Sequence, residues 1–398
     1  MLIDVTRLIA RTLKSRLPTG VDRVSLAYVE HFRSRAVALV RLPGRWIELG
    51  RPESGRVFDA LLHRGHGSAR ALAWAVARSY VCRWGSARPA SVLVNTGHSG
   101  LDHPSYALEV RRRRLQPLYF LHDLIPMTHP EYCRPGESAR HRRRLQAMLE
   151  TGAGLVVNSR ATRAALENYA RAQGWRVPSC IVAPVAPTRL PRPAATAPLP
   201  DPYFVMLGTI EPRKNHSMLL QLWRQLIDEL GAGAPRLAVI GQRGWECEHV
   251  VDLLERCPAL RGFVVEKPRC DDAELATWLR HARALLFPSF AEGFGIPLVE
   301  ALTLGVPVIA SNLPVFRELA GAIPDYLDPL DGAGWKRTIL DYLHPDGERC
   351  RLQHERMRGY AATTWADHFA AVEAMVEPWF RGRSQLRAPA EWADAASH

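Results

Sequence analysis

Two carboxylates, Glu292 and Glu300, bracket the segment Glu-Gly-Phe-Gly-Ile-Pro-Leu-Val-Glu, directly after the apolar run Ala284–Phe287. Pro297 suits a first helical position, where its missing N–H costs nothing. Gly305 and Pro307 close that helix and open the next strand. Gly293 to Ile296 therefore form a tight loop entering a helix N-terminus, whose free N–H groups can bind anions or hydroxyls. Helix side chains tilt toward the N-terminus, so Glu300, read as first-turn, is expected to share a pocket with Glu292. Such a pair accepts hydrogen bonds from vicinal sugar hydroxyls and suits a ribose, but it repels a bare phosphate. The local features equally suit a plain turn whose glutamate favours the positive helix end.

Cations for a phosphate stand in the same half. Tyr203 to His216 reads as a strand, a glycine, a loop holding Arg213 and Lys214, and then Asn215 as a helix N-cap. Arginine offers phosphate a planar fork and lysine a mobile point charge. A solvated pair beside a turn is the commoner fate of Arg-Lys, but its place after a strand favours a ligand role. In the first half, the run Leu118–Leu121 ends in His122-Asp123. A lone histidine is more often structural than catalytic, so its position at a strand's carboxyl end is what singles it out. Asp123, Asn95 and His98 are acceptor candidates on the same ground, while Asn158-Ser159 reads as the cap of the next helix, with an acceptor role as the lesser alternative. Thr19-Gly20, before a helical pattern, is either a phosphate-facing loop or an ordinary turn.

The elements that must position these residues alternate short apolar runs with helical patterns, the mark of βαβ units and parallel sheets. Candidate strands are Ala36–Leu42, Ser91–Asn95, Pro117–His122, Gly154–Asn158 and Cys180–Ala183, then Tyr203–Leu207, Arg236–Ile240, Phe263–Val265, Ala284–Phe287 and Pro307–Ala310, with Asp4–Ile9 as a first strand or its start. The Pro- and Ala-rich stretch 186–202 reads as a linker. It separates an N-terminal acceptor-side domain, 1–185, from a nucleotide-binding domain, 203–358, and a helical stretch from about Gly359 packs back, within 359–398. Ligands of open α/β sheets sit beyond the carboxyl ends of strands, which is where every residue named above falls.

No apolar run approaches the ~20 residues that span a bilayer, and Asp4 and Arg7 interrupt the region a signal peptide would keep apolar. A cytoplasmic protein is expected. The seven cysteines are scattered, odd in number and without a C-x-x-C pair, which argues against a zinc site or a disulfide framework. The net charge of +12 would attract nucleic acid, anionic membrane or phosphorylated substrates alike. Arg111–Arg114 precede a strand and read as a solvated helix end. Arg140, Arg142, Arg143 and Arg144 lie on a helical stretch with Leu145 and Met148, which fits either a helix on anionic lipid or a solvated face.

The combination of FAEGFGIPLVEAL, the following GVPVIAS and the upstream GTIEPRKNH resembles the family-four, group 1 retaining glycosyltransferases of the GT-B fold. The resemblance is strong over 203–320 and fair over the first half. It implies two Rossmann-like α/β domains with parallel sheets facing across a donor and acceptor cleft. By the same resemblance, Arg213 and Lys214 bind the donor diphosphate, Glu300 holds the ribose, and Glu292 with the backbone of Gly293, Phe294, Gly295 and Ile296 meets the transferred sugar. Thr19 and Gly20 match the family's diphosphate-facing glycine loop, although the family often has two glycines there. His122 matches a cleft-lining histidine that orients the sugar.

The implied chemistry is retaining transfer of a hexose or deoxyhexose from GDP-mannose or a UDP-hexose to a lipid-linked or growing glycan of a surface polysaccharide. No cofactor beyond the nucleotide sugar is implied. No D-x-D motif occurs, so no metal clamp on the diphosphate is expected. The family often docks to the inner face of a membrane, and the nucleobase is expected near Glu266–Leu275. A sugar phosphorylase of similar fold would need a lysine-bound cofactor, for which no dedicated motif is present. A basic nucleic-acid-binding protein would leave the glutamate pair unexplained and lacks an aromatic and basic stacking pattern.

Overall fold

Strands buried on both faces read as unbroken apolar runs, and the two sheets are assembled from such runs. The computed structural model describes residues 1–14, 18–42, 45–63, 68–81 and 91–385; Leu17, Cys82 and the tail beyond 385 lie outside the described residues. The first sheet holds β1 (Leu2–Asp4), β2 (Val37–Leu42), β3 (Arg45–Glu48), β4 (Val92–Asn95), β5 (Gln116–Leu121), β6 (Gly154–Val157) and β7 (Cys180–Val182). Its order is β3-β2-β1-β4-β5-β6-β7, parallel except for the edge pair β2 and β3. The second holds β8 (Tyr203–Leu207), β9 (Arg236–Ile240), β10 (Val264–Lys267), β11 (Leu285–Phe287), β12 (Val308–Ser311) and β13 (Asp325–Leu327), in the order β10-β9-β8-β11-β12-β13.

The second order is that of a doubly wound dinucleotide-binding sheet, which reverses direction between β8 and β11; the first reverses between β1 and β4. Crevices for ligands open at these reversals. The expected strands are present with shifts of a residue or two, and three others join them. Asp4–Ile9 is not a strand: β1 stops at Asp4, whose carboxylate accepts the Thr6 N–H at 3.0 Å, and a helix runs over Thr6–Leu13. β3 is an antiparallel addition, and β13 is too short to stand out from its flanks.

The GT-B fold brings the two sheets together in one molecule, and an apolar cluster runs from Val156 and Tyr28 to Tyr203 and Phe294. The C-terminal helix begins at Trp365 rather than near Gly359. It returns to the first domain, where His368 meets the Tyr28 hydroxyl at 3.0 Å and the Ala183 carbonyl at 3.1 Å. Six cysteines are free thiols among the described residues. No helix among these residues is long and apolar enough to cross a membrane.

Candidate active site

The loops after β8 and β11 meet at the reversal of the second sheet. The Phe290 N–H donates to the Arg213 carbonyl at 2.8 Å, and Arg213 Nη1 donates to the Ala291 carbonyl at 2.9 Å. With the two backbones locked, Glu292 Oε2 lies 2.7 Å from Arg213 Nη1, and Oε1 lies 2.5 Å from Lys214 Nζ and 2.8 Å from Ser289 Oγ. Arg213 also reaches Glu211 at 2.7 Å. Burial alone would raise the Glu292 carboxyl, but the charges of Arg213 and Lys214 overcome it and bring it down to about 2. Burial pulls the Lys214 ammonium below its usual range despite Glu292, whereas Arg213 is raised because Glu292 and Glu211 outweigh its burial. The site therefore holds a buried quartet of two basic and two acidic side chains, in which burial also raises the Glu211 carboxyl.

Gly295, with φ at +124°, turns the loop into the helix Ile296–Thr303, and the neighbouring ring of Phe316 leaves no room for a side chain there. Glu300 is the fifth residue of that helix rather than a first-turn residue. The Glu300 carboxylate accepts the Thr188 N–H of the linker at 3.3 Å. Burial raises its carboxyl against the lowering effects of Thr188 and Arg23. Asn215 does stand at the start of the helix His216–Leu230, but in a left-handed conformation, and its side chain donates to the Pro329 carbonyl at 2.9 Å instead of capping.

The first domain closes on this loop from the other side. A Cβ at Gly293 would stand 2.6 Å from both the His122 carbonyl oxygen and Asp123 Cβ. The Gly293 carbonyl accepts hydrogen bonds from Thr162 Oγ1 at 3.1 Å and Ser159 Oγ at 3.3 Å. Asn158 Nδ2 donates to the His122 carbonyl at 2.9 Å, so Asn158, Ser159 and Thr162 hold both sides of the contact. The helix Arg160–Ala172 presents its first N–H groups to Glu318 of the second domain, at 2.7 Å from Arg160 and 3.0 Å from Ala161. Sequence reasoning read Asn158-Ser159 as a helix cap or an acceptor contact and not as part of this junction; Ser159 does cap the helix, and Glu318 carried no signal.

Thr19 and Asp22 form a capping box at the start of the helix Gly20–Phe32. A Cβ on Gly20 would lie 3.3 Å from Ile296 Cδ1, so this turn abuts the helix start of the second domain. Arg23 pairs with Asp272 across the same junction at 2.6 Å.

A cavity of about 880 Å³ opens where the domains meet, lined by His98, His122, Asp123, Glu211 and Arg213 together with Arg7 and Arg144. Three imidazoles share its wall, with ring centroids 5.1 Å apart for His98 and His122 and 5.8 Å for His98 and His141. Each donates through Nε2 to a backbone carbonyl, those of Phe120, Thr96 and Asp123 respectively for His98, His122 and His141. Burial pulls all three below the usual range, His122 to about 4 despite its hydrogen bond to Thr96, so they are neutral at pH 7.

Asn95 does not line this cavity. It is buried, and its amide meets Asp4, the Ser99 carbonyl and the Tyr106 hydroxyl, which makes it a brace for the loop carrying His98. The arginines of the helix Glu137–Thr151 also differ from a membrane-facing row. Arg140 and Arg144 turn to the cavity and pair with Asp102 and Glu137, and Leu145 and Met148 are buried in the domain core. Arg142 and Arg143 face outward, with Arg142 lying over the Trp175 ring, and Arg140 is exposed as well. Arg113 is likewise no solvated end, since it pairs with Glu48 at 2.6 Å.

Residues 191–322 match the family "Glycosyl transferases group 1". The match covers about a third of the chain and includes Arg213, Lys214, Glu292 and Glu300. Among its curated relatives, O-antigen chain mannosyltransferase B of Escherichia coli is 37% identical over 147 residues, which cover 37% of this chain and 38% of that protein. O-antigen chain mannosyltransferase RfbU of Salmonella typhimurium is 42% identical over 140 residues, covering 34% and 37%. The serotype-specific mannosyltransferase WbdA of Escherichia coli is 37% identical over 123 residues, covering 30% of this chain and 14% of that protein. The similarity thus spans well under half of these group 1 relatives. Among solved structures, Anabaena Alr3699/HepE in complex with UDP and glucose superposes with a TM-score of 0.62 at 16% identity, covering 95% of this chain and 99% of that one. Sucrose-phosphate synthase from Thermosynechococcus elongatus gives 0.59 at 17%, covering 92% and 94%. At such identities the likeness is one of fold.

Proposed function

We propose that the protein is a retaining glycosyltransferase that moves a hexose, with mannose favoured, from a nucleotide diphosphate sugar to a glycan acceptor. The observation that carries this reading is the Arg213, Lys214 and Glu292 cluster at the reversal of the second sheet, packed against the His122–Asp123 turn. The mannosyltransferase relatives favour mannose, and the UDP in the fold neighbour favours a nucleotide donor.

In this reading Glu292 leaves the two cations when the donor arrives, and the diphosphate takes its place. The freed carboxylate accepts hydroxyl hydrogen bonds from the transferred sugar. The ribose lies toward Glu300, beside Thr188 and Arg23. Neutral His122 and the backbone of Gly293–Ile296 orient the sugar. The bond from the anomeric carbon to the phosphate oxygen breaks as the acceptor oxygen attacks from the same face, and the acceptor proton passes to the leaving phosphate. Negative charge grows on that phosphate, where Arg213 and Lys214 are already fixed at low solvent exposure. These two cations take the role a metal would play, so transfer is metal-independent. The acceptor is a growing or lipid-linked glycan of a surface polysaccharide, and the exposed Arg140, Arg142 and Arg143 are the arginines of the helix Glu137–Thr151 placed to meet an anionic membrane.

The test is release of free sugar from GDP-mannose, UDP-glucose and UDP-N-acetylglucosamine, with thermal stabilisation by each donor measured alongside. At least one donor should stabilise the protein and be hydrolysed slowly, and Glu292→Ala should abolish the hydrolysis. Absence of both effects with every donor contradicts the reading.

A further inference from the structure

Two neighbouring cavities line the first domain's side of the cleft, and both carry more cations than the donor cluster needs. In the cavity of about 880 Å³, the helix Thr6–Leu13 with its cap residue presents Arg7, Ala10, Arg11 and Lys14, spaced as one helical face. The helix Glu137–Thr151 presents Glu137, Arg140, His141 and Arg144 in the same spacing. Asp22 serves both Arg7, at 2.9 Å, and Arg11, at 2.7 Å. Lys14 has no carboxylate partner among the described residues, and Arg134 meets only the Trp245 ring, 5.3 Å away. The carboxylates on this wall are otherwise engaged: Glu137 by Arg144, Glu211 by Arg213, and Asp123 by the Ile125 N–H.

The second cavity, about 580 Å³, shares Thr6, Ser99 and Gly100 with the first, so the two adjoin at that loop. It is lined by Arg41, Arg45, Arg112 and Arg113 around Trp46 and Tyr106, with Glu109 pairing with Arg112 and Arg113, and Asp4 with Arg41. Arg41 and Arg113 lie 5.9 and 5.7 Å from the Trp46 ring. Aromatic rings beside guanidinium groups suit a sugar ring that also carries negative charge. None of these residues is needed to hold a nucleotide at Arg213 and Lys214.

We propose that the adjoining cavities form an acceptor groove selective for a saccharide bearing an oxyanion, either a phosphate ester or a sugar carboxylate. The acceptor hydroxyl sits near His122 and Arg213, the charged group meets the face formed by Arg11, Lys14 and Arg134, and the next unit runs past Ser99 and Gly100 toward Trp46. The inference rests on the glycosyltransferase reading and names the substrate class of that site. The neutral histidines add no positive charge at pH 7, so selectivity comes from the arginines and Lys14.

The experiment is titration of the full chain, held in saturating GDP or UDP so that the donor cations are occupied, with mannose 6-phosphate, glucuronic acid and mannose. At least one charged sugar should bind roughly tenfold or more tightly than mannose, the size of one charge-assisted hydrogen bond. Which of the two binds assigns phosphate or carboxylate. Lys14→Glu and Arg134→Glu, checked for folding by circular dichroism, should each weaken that probe by about fivefold or more. Equal binding of all three sugars, or charged binding untouched by both variants, overturns the groove. Failure of GDP and UDP to bind at all would instead strike the donor reading on which it rests.

Discussion

The two walls of the cleft treat charge differently. On the second domain's wall, Arg213 and Lys214 face Glu211 and Glu292 in a buried, paired set held by backbone contacts between two loops. On the first domain's wall, Arg7, Arg11, Arg140 and Arg144 pair with Asp22, Asp102 and Glu137 around an open cavity. Lys14 and Arg134 have no carboxylate partner there among the described residues, and neutral histidines lie between. A buried paired cluster is rigid and leaves each member strongly dependent on its partners. An open wall tolerates change at any one position, and its unpartnered cations read the charge of what enters. On the proposed function, the contrast separates a wall that fixes one reacting group from a wall that selects a partner.

The largest effect should follow from breaking the buried quartet. Arg213→Ala removes a preorganised stabiliser of the leaving phosphate and leaves Glu292 with Lys214 alone; turnover should drop by about 10²–10³-fold in a donor-hydrolysis assay. Gly293→Ala attacks the junction between the walls, since its Cβ would meet the His122 carbonyl oxygen and Asp123 at 2.6 Å. Neither atom belongs to a flexible side-chain end, so thermal melts should show a loss of about 1–3 kcal/mol, with turnover falling as the cleft is held open.

The third test concerns the neutral rings. In the unfolded chain an imidazole takes up its proton near its ordinary value of 6.5, whereas His122 and His368 do so only near 4 because of burial. The unfolded state therefore binds more protons between these values, and stability should fall as the pH drops from 6.5 toward 4. Melting temperatures that stay level over that interval would show rings more open to water than their burial implies. Smallest is Glu318→Gln. Its carboxylate caps the N-terminus of the helix Arg160–Ala172 across the domains, and the loss should be about 1 kcal/mol in melts, with a modest rise in donor KM.

The meeting of Arg213, Lys214 and Glu292 was legible in the sequence because each residue's placement is local. A strand, a glycine, a short loop and a helix start place Arg213, Lys214 and Glu292 within a few residues of a strand end, and the parallel sheet does the rest. Glu300 was misplaced because its helix starts at Ile296, which carries the carboxylate to the linker at Thr188. The junction was not legible. Contacts such as Thr162 to Gly293 and Glu318 to Arg160 join residues more than 130 positions apart, and nothing in either segment announces the other. Asn95 and the arginines of residues 140–144 show the same limit: type and spacing marked them as polar, but their direction depended on the loop at Asp4 and the core beneath Leu145. β1, β3 and β13 escaped notice because three or four residues carry too little pattern.

The central claim is that Arg213 and Lys214 exchange the Glu292 carboxylate for a donor diphosphate. Calorimetric titration of GDP and UDP into the protein and into Arg213→Ala tests it most directly. The account predicts that at least one nucleotide binds the unaltered chain and that the variant binds it about 30-fold or more weakly, as expected for a lost bidentate charged contact. Equal affinity of both proteins for that nucleotide would place the diphosphate elsewhere and contradict the account.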